Sequence, residues 1–252
     1  MQSIVKSLNL LFAVAGTEEP ISIAALAEKS GLPRPTVYRH IETLIAEGLM
    51  ARLPAGVVVT PKLALKVTGA RVPVGLRDVA VTDLHKLVEI SGETAGVHVR
   101  SGLVRRCIAE VEGTHGVRWA RGVGFAGPIW SGAVGHVLLG DCDDVQIDEI
   151  LAAAEITRSA SNSLTDPAQL KELAIAAREQ GWSASINETV EGACAIAAPI
   201  RDANGPVVAA MSLYAPSSRF EQLHECVDDL RGLADDTSKA WAKVSGIEEV
   251  SP

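Results

Sequence analysis

Between residues 31 and 35 the chain reads Gly-Leu-Pro-Arg-Pro, flanked on both sides by a short segment with helical periodicity, and this punctuation constrains the fold more than any other feature. Before it, Ser22 stands as an N-cap for a helix in which Ile23, Leu26 and Ala27 share a face, with Gly31 as the stop. After it, Arg34-Pro35-Thr36 opens another helix, because proline is tolerated in a first turn whose N–H groups lack intrahelical partners. Val37, Ile41, Leu44 and Ile45 fall on its inner face, and Gly48 ends it. An earlier helix spans Ser3 to Ala15, with Ile4, Leu8, Leu11 and Phe12 on one face and Gly16 at its end. Strand-like runs at Leu49 to Arg52 and Val57 to Thr60 surround a Pro54-Ala55-Gly56 turn. Three short helices and a hairpin make a winged helix-turn-helix.

Such a unit packs one helix across another so that the second lies in a DNA major groove about 12 Å wide. It needs a small residue at the crossing, a glycine at the turn and an apolar back to the second helix. Ala27, Gly31 and the Val37/Ile41 pair supply these. The outward residues of the second helix are then Arg34, Thr36, Tyr38, Arg39, His40 and Thr43. Arginine suits a guanine edge or a phosphate, and threonine, tyrosine and histidine can donate to either, so base and phosphate contacts are both open to them. Ser22 is placed for a phosphate contact at a helix N-terminus, and Arg52, next to the wing, for reaching a flanking groove. The alternative is a small helical domain with a solvated polar face.

A net charge of −8 looks wrong for a nucleic-acid binder until it is divided along the chain. Residues 1–70 carry seven Lys/Arg against five Asp/Glu, whereas 71–252 carry sixteen against twenty-six. Only the first segment is suited to phosphate. The remainder alternates helices with strands: a connector over about 62–80, a helix from Thr82 to Ile90, strands at 95–100 and 103–112, and a glycine-rich passage from Gly116 to Gly127. Helices follow from Ser131 to Leu139, Asp143 to Ala154 and 168–180, then strands at 182–187, 194–201 and 206–214 and a last helix over 220–243. Asn204-Gly205 marks a hairpin between the last two strands. Flanked antiparallel strands indicate an α+β second domain.

The segments QSIVKSLNLLFAVAG and ISIAALAEKSGLPRPTVYRHIETLIAEGL, with the hairpin after them, resemble the N-terminal domain of IclR-family transcription regulators. GPIWSGAVGHVLLG resembles that family's helix-entry segment, and GWSASINETVEGACAIAAPIRDANGPVVAAMSLYAPSSRF its signature run, in the same order along the chain. Two positions depart from the family. Val-Val-Val-Thr-Pro-Lys-Leu stands where Tyr-x-Leu-Gly usually follows the wing, and His136 stands where a lysine is common. The resemblance implies a winged helix-turn-helix over 1–62, a helical linker over 63–81, and a GAF-like effector-binding and oligomerisation domain over 82–252. It also implies a homodimer or a dimer of dimers, a double-stranded operator, and a small organic effector such as a carboxylate or aromatic acid.

Residues matching the family's pocket positions are Ala193, Ala195, Ser212 and Tyr214. Ser212 and Tyr214 are two apart and share one side of a strand, facing either a ligand or water. Ser131-Gly132-Ala133 at a helix start offers unpaired, uncrowded N–H groups to an anion, or serves simple helix packing. Trp119 and Trp130 would wall an apolar or aromatic effector, or lie at a dimer interface.

Enzymatic readings pair Cys194 or Cys107 with His136 or His98, or Ser131 with His136. No G-x-S-x-G, H-E-x-x-H or P-loop accompanies them, and Gly122 to Gly127 fits G-x-G-x-x-G without opening a helix. Cys194 alternates away from Ala193 and Ala195 and reads as a buried, inert thiol. A ligand-free dimerisation domain is the other rival. Four scattered cysteines and six histidines suggest neither metal nor cofactor. No apolar run is long enough to span a bilayer and no leader pattern opens the chain, so a cytoplasmic protein is expected.

Overall fold

In the computed structural model, which describes residues 2–15, 17, 20–60 and 75–248, glycine and proline mark the helix boundaries of the first unit. The chain divides into two compact units, Met1–Gly69 and Ala70–Pro252. The first contains α1 (Gln2–Ala15), α2 (Ile23–Ser30), α3 (Arg34–Ala46), β1 (Met50–Leu53) and β2 (Gly56–Val59). The Ser22 side chain caps α2 by accepting from the Ala25 N–H at 3.2 Å, and Gly31 ends it in the left-handed region at φ 67°. Pro33 precedes α3, its carbonyl accepting from Thr36 and Val37. The turn between β1 and β2 reduces to Pro54 and Ala55. Gly56 lies so close to Ile21 that a Cβ there would meet the Ile21 carbonyl oxygen at 2.5 Å.

Leu26, Val37, Ile41, Leu10 and Met50 form the core of this unit. The stripe expected on α1 is corrected: Leu10, Leu11 and Val14 are buried, whereas Ile4, Leu8 and Phe12 are 68%, 44% and 64% exposed. Apolar residues cover more than one face of α1, and periodicity does not choose which face meets a neighbour. Gly16 and most of the connector, residues 61–74, lie outside the described residues.

The second unit is built on one antiparallel six-stranded sheet, with strands β3 (Thr94–Ser101), β4 (Val104–Val111), β5 (Ala126–Pro128), β6 (Ser183–Ile186), β7 (Ala193–Arg201) and β8 (Val207–Pro216) in the order β5-β4-β3-β8-β7-β6. The helices are α4 (Leu76–Ser91), α5 (Gly132–Leu139), α6 (Asp144–Ala152), α7 (Pro167–Gln180), α8 (Phe220–Glu225) and α9 (Val227–Glu248). Strand alternation divides the sheet's two faces. Ile196, Ala198, Met211 and Leu213 pack with Leu84, Leu87, Leu230 and Trp241 of α4 and α9. Ala197 and Ala210 pack with Val134, Leu138, Ile147 and Leu170 of α5, α6 and α7.

Three boundaries differ from expectation. α4 starts at Leu76 rather than Thr82, because Leu76 and Ala80 continue its buried face toward Gly75. The last helix breaks at Cys226 into α8 and α9, after a 3₁₀ turn over Ser217–Arg219. The Asn204-Gly205 connection is a longer loop, closed by Asp202 N–H donating to the Pro206 carbonyl at 3.0 Å, with a bulge at Ile200/Arg201. Among the described residues no helix is long and apolar enough to cross a membrane, and no group of side chains could hold a metal ion.

Candidate nucleic-acid helix and ligand pocket

The periodicity of α3 separates its two sides. Val37 and Ile41 are fully buried and Leu44 nearly so, while Arg34, Tyr38, Arg39 and Thr43 are exposed and Thr36 is half-buried. The Thr43 hydroxyl donates to the Arg39 carbonyl at 3.0 Å, leaving the guanidinium of Arg39 as the longer reach of that turn. Arg52 of β1 extends across the same side, paired with the Glu42 carboxylate and placed over the Tyr38 ring at 5.5 Å. His40 is a correction. It is 5% exposed, and its Nδ1 lies 2.7 Å from the Ser7 hydroxyl of α1. Three residues after Val37 and four before Leu44, it shares their face, so it anchors α3 instead of extending outward.

In the second unit, a cavity with about 570 Å³ of atom-free space, partly open to solvent, lies beside the start of α5. Trp119, Gly132, Ala133, Ala193, Ala195 and Tyr214 line it. Three other expected residues are not in its lining. Trp130 packs against the core beneath α5, the Ser131 hydroxyl lies 3.3 Å from that of Thr189, and Ser212 is fully buried and donates to the Gly96 carbonyl at 3.1 Å. Ser212 reaches the cavity indirectly, through a 2.8 Å hydrogen bond between its hydroxyl and that of Tyr214. Gly96 is required here, because a Cβ would come within 2.4 Å of the Tyr214 oxygen.

The helix start is also corrected. The Gly132 N–H donates to Glu188 Oε1 at 2.8 Å and the Ala133 N–H to the Ser185 hydroxyl at 3.1 Å, so neither amide is free for an anion. Glu188 is 6% exposed and is also bonded by His136 Nε2 at 3.1 Å, while His136 Nδ1 lies 3.0 Å from the Ser183 hydroxyl. Burial alone would raise the Glu188 pKa, but His136, the Gly132 amide and Arg105 together hold it below the usual carboxylate range. His136 therefore fixes the carboxylate that closes the helix start.

Polar groups come from residues not anticipated as ligand contacts, His98 on β3, Arg105 and Glu110 on β4 and Arg121 in the glycine-rich passage, where Phe125 adds an apolar ring. Arg121 lies over the Trp119 ring at 5.2 Å and the Phe125 ring at 4.2 Å. The Glu110 carboxylate accepts from the Gly122 N–H at 2.8 Å and the Arg121 N–H at 3.4 Å, which holds this passage against the cavity. His98 Nε2 is bonded to the Tyr214 hydroxyl, and its Nδ1 is buried without a partner. Burial first, and the Arg105 charge second, push the imidazole down to about 3, so it is neutral. An arginine inside the strand run VRRCIAEV was the one sequence signal for this chemistry.

The nucleophile pairings do not form. Cys194 donates its S–H to the carbonyls of Ala215 and Pro216, and burial pushes its thiol up to about 11. Burial, followed by Glu110, pushes Cys107 up to about 12. Ser131 contacts Thr189, and His136 contacts Ser183 and Glu188.

Comparison with known proteins gives a consistent result. Residues 3–54 match the family model of the IclR helix-turn-helix domain, and residues 71–239 match that of the bacterial transcriptional regulator IclR C-terminal domain. The chain is 29% identical over 238 residues to the HTH-type transcriptional regulator KdgR of Escherichia coli K12, covering 93% of this chain and 90% of that protein. It is 26% identical to the transcriptional repressor IclR of the same organism, over 87% and 82% of the two chains. Among solved structures, transcriptional regulator RHA06195 from Rhodococcus sp. RHA1 superposes with a TM-score of 0.77 at 26% identity, covering 97% of this chain and 99% of that one. An IclR homologue from Microbacterium hydrocarbonoxydans, solved in complex with 4-hydroxybenzoate, shares the fold at 20% identity and a TM-score of 0.76, over 95% and 99% of the chains.

Proposed function

The chain belongs to the IclR family of bacterial transcriptional regulators, and from that premise we propose that α3 enters the major groove of an operator while the cavity beside α5 holds the organic metabolite that modulates binding. The observation that carries this reading is the two-sidedness of α3. Its apolar back is fully buried at Val37 and Ile41, while Arg34, Tyr38 and Arg39 project from the free side. Ser22 flanks that side from the α2 N-terminus as a phosphate contact, and Arg52 flanks it from the wing, toward the neighbouring groove.

One helix of this size needs duplication for affinity, and operator half-sites reflect protein symmetry. The exposed stripe of Ile4, Leu8 and Phe12 on α1 supports pairing with a second copy. We place the homodimer, or a dimer of dimers, in the cytoplasm, where the operator is. Trp119, Gly132, Ala133, Ala193, Ala195 and Tyr214 form the effector wall, with Trp130, Ser131 and Ser212 supporting it from behind. The metabolite acts through different affinities for two arrangements of the dimer, typically worth about 1–3 kcal/mol.

Titration of the purified protein onto labelled DNA from upstream of its own gene, at several salt concentrations, tests the DNA-binding reading. Arg39→Ala is expected to weaken binding and lower the slope of log affinity against log salt by about one. Unchanged affinity and slope would remove Arg39 from the interface. Loss of binding without a change in slope would assign it a contact other than phosphate.

A further inference from the structure

The guanidinium groups of the second unit are matched unequally. Arg219 is matched by Glu93, which engages both its Nε and its Nη2, and Nη2 also donates to the Val117 carbonyl at 2.9 Å. Arg178 donates to the carbonyls of Gly140 and Cys142 and to Asp144. Arg105 is only 6% exposed, yet its one side-chain hydrogen bond among the described residues runs from Nε to the Pro128 carbonyl at 3.2 Å. Its Nη nitrogens have no acceptor there, and none of the ion pairs among the described residues includes it.

The guanidinium lies in the cavity wall between two glycines. Nη2 would stand 3.3 Å from a Cβ on Gly127 and 3.8 Å from one on Gly132. Glu188, also in the wall, is already engaged by the Gly132 amide and His136. A largely buried charge outside any ion pair is costly; burial lowers the Arg105 pKa to about 10, with the more distant Glu188 charge opposing that fall, and still leaves it protonated at neutral pH. A second side chain in the wall has a stricter deficit, with no access to solvent. His98, 2% exposed and lining the same cavity, has a buried Nδ1 with no partner. A guanidinium outside any ion pair and a buried, partnerless imidazole nitrogen thus meet at one cavity, partly open to solvent.

We infer that Arg105 is the specificity-determining residue of this pocket: it takes the carboxylate of an organic-acid effector, a role closed to the α5 amides by Glu188 and Ser185, and His98 Nδ1 bonds a second polar group of the same molecule. The inference rests on the reading of this unit as the effector domain. A guanidinium fork matches the two oxygens of a carboxylate. Arg105 and Arg121 share the lining with Glu110 and Glu188, so a monoanion is accommodated better than a doubly charged phosphate. Trp119, Phe125, Ala193 and Ala195 leave room for a flat apolar body.

The test compares full-length wild type with Arg105→Met and Arg105→Lys, by calorimetric titration and thermal shift. The probes are matched acids and amides: benzoate and benzamide, 4-hydroxybenzoate and 4-hydroxybenzamide, pyruvate and pyruvamide. Wild type is expected to bind at least one acid roughly 10- to 100-fold more tightly than its amide, the range for a hydrogen bond to a charged group. Arg105→Met is expected to lose that preference without a lower melting temperature in the absence of ligand, and Arg105→Lys to keep part of it. If amides bind as well as acids, or Arg105→Met keeps the preference, the inference falls and the effector reading stands. If neither class binds while operator binding is intact, both fall.

Discussion

At the residue scale, the consequential groups are those whose environment overrides their usual chemistry. His98 illustrates this. Its ordinary pKa of 6.5 falls to about 3 in the folded chain because burial and the nearby Arg105 both disfavour the cation. Below pH 6.5 the unfolded chain takes up a proton that the folded chain refuses, so His98 supports the fold above that pH. Its contribution drains away by about 1.4 kcal/mol per pH unit as the pH falls toward 3. Urea unfolding of wild type and His98→Asn at pH 7 and pH 5 is expected to show a steeper loss for wild type. Equal losses would mean that His98 is solvated and titrates normally. Tyr214 and Arg105 face this imidazole and remain in both proteins, as do Glu110 and Glu188, so the difference isolates it. His98 and Arg105 were not legible as ligand groups, since a lone polar residue in a strand takes its meaning from what surrounds it. His40 was misread for a simpler reason: a histidine at the border of an apolar stripe fits either side until Ser7 is found beside it.

At the element scale, the helices and strands follow local rules closely, and the departures share a cause. Gly31, Pro33 and Gly181 end or precede helices as their backbone preferences require. α4 extends toward Gly75 because Leu76 and Ala80 are buried, and the α9 hydroxyl of Thr237 donates to Asp83 of α4 at 2.8 Å. α1 is the sharper case, with its apolar residues divided between the unit's core and an exposed stripe. If that stripe joins two copies, Phe12→Glu is expected to shift the protein from dimer toward monomer in light scattering, without loss of helical circular dichroism, and to weaken operator binding. An unchanged mass would assign dimerisation to another surface. Phe12 is 64% exposed, so the substitution leaves the core of its own unit intact.

At the scale of the whole molecule, regulation requires the DNA site and the cavity to share free energy. Any acid that lowers operator affinity by a given factor must itself bind less tightly, by that factor, when operator is present. Titrating such an acid into protein with and without operator is expected to give dissociation constants differing by roughly 5- to 150-fold. Equal constants would remove the acid as an effector. The helices of the first unit, most of the strand order of the second, and the apolar back of α3 were determined by the sequence alone, whereas the inward turn of His40, the short strand β5 and the break at Cys226 were not. The former depend on spacing within a few residues and on the backbone limits of glycine and proline. The occupied amides at the start of α5 and the placing of Arg105 outside any ion pair were decided only by tertiary structure. Glu188 is 56 positions from the amide it meets, and whether a buried charge has a partner depends on what the sheet brings within reach of it.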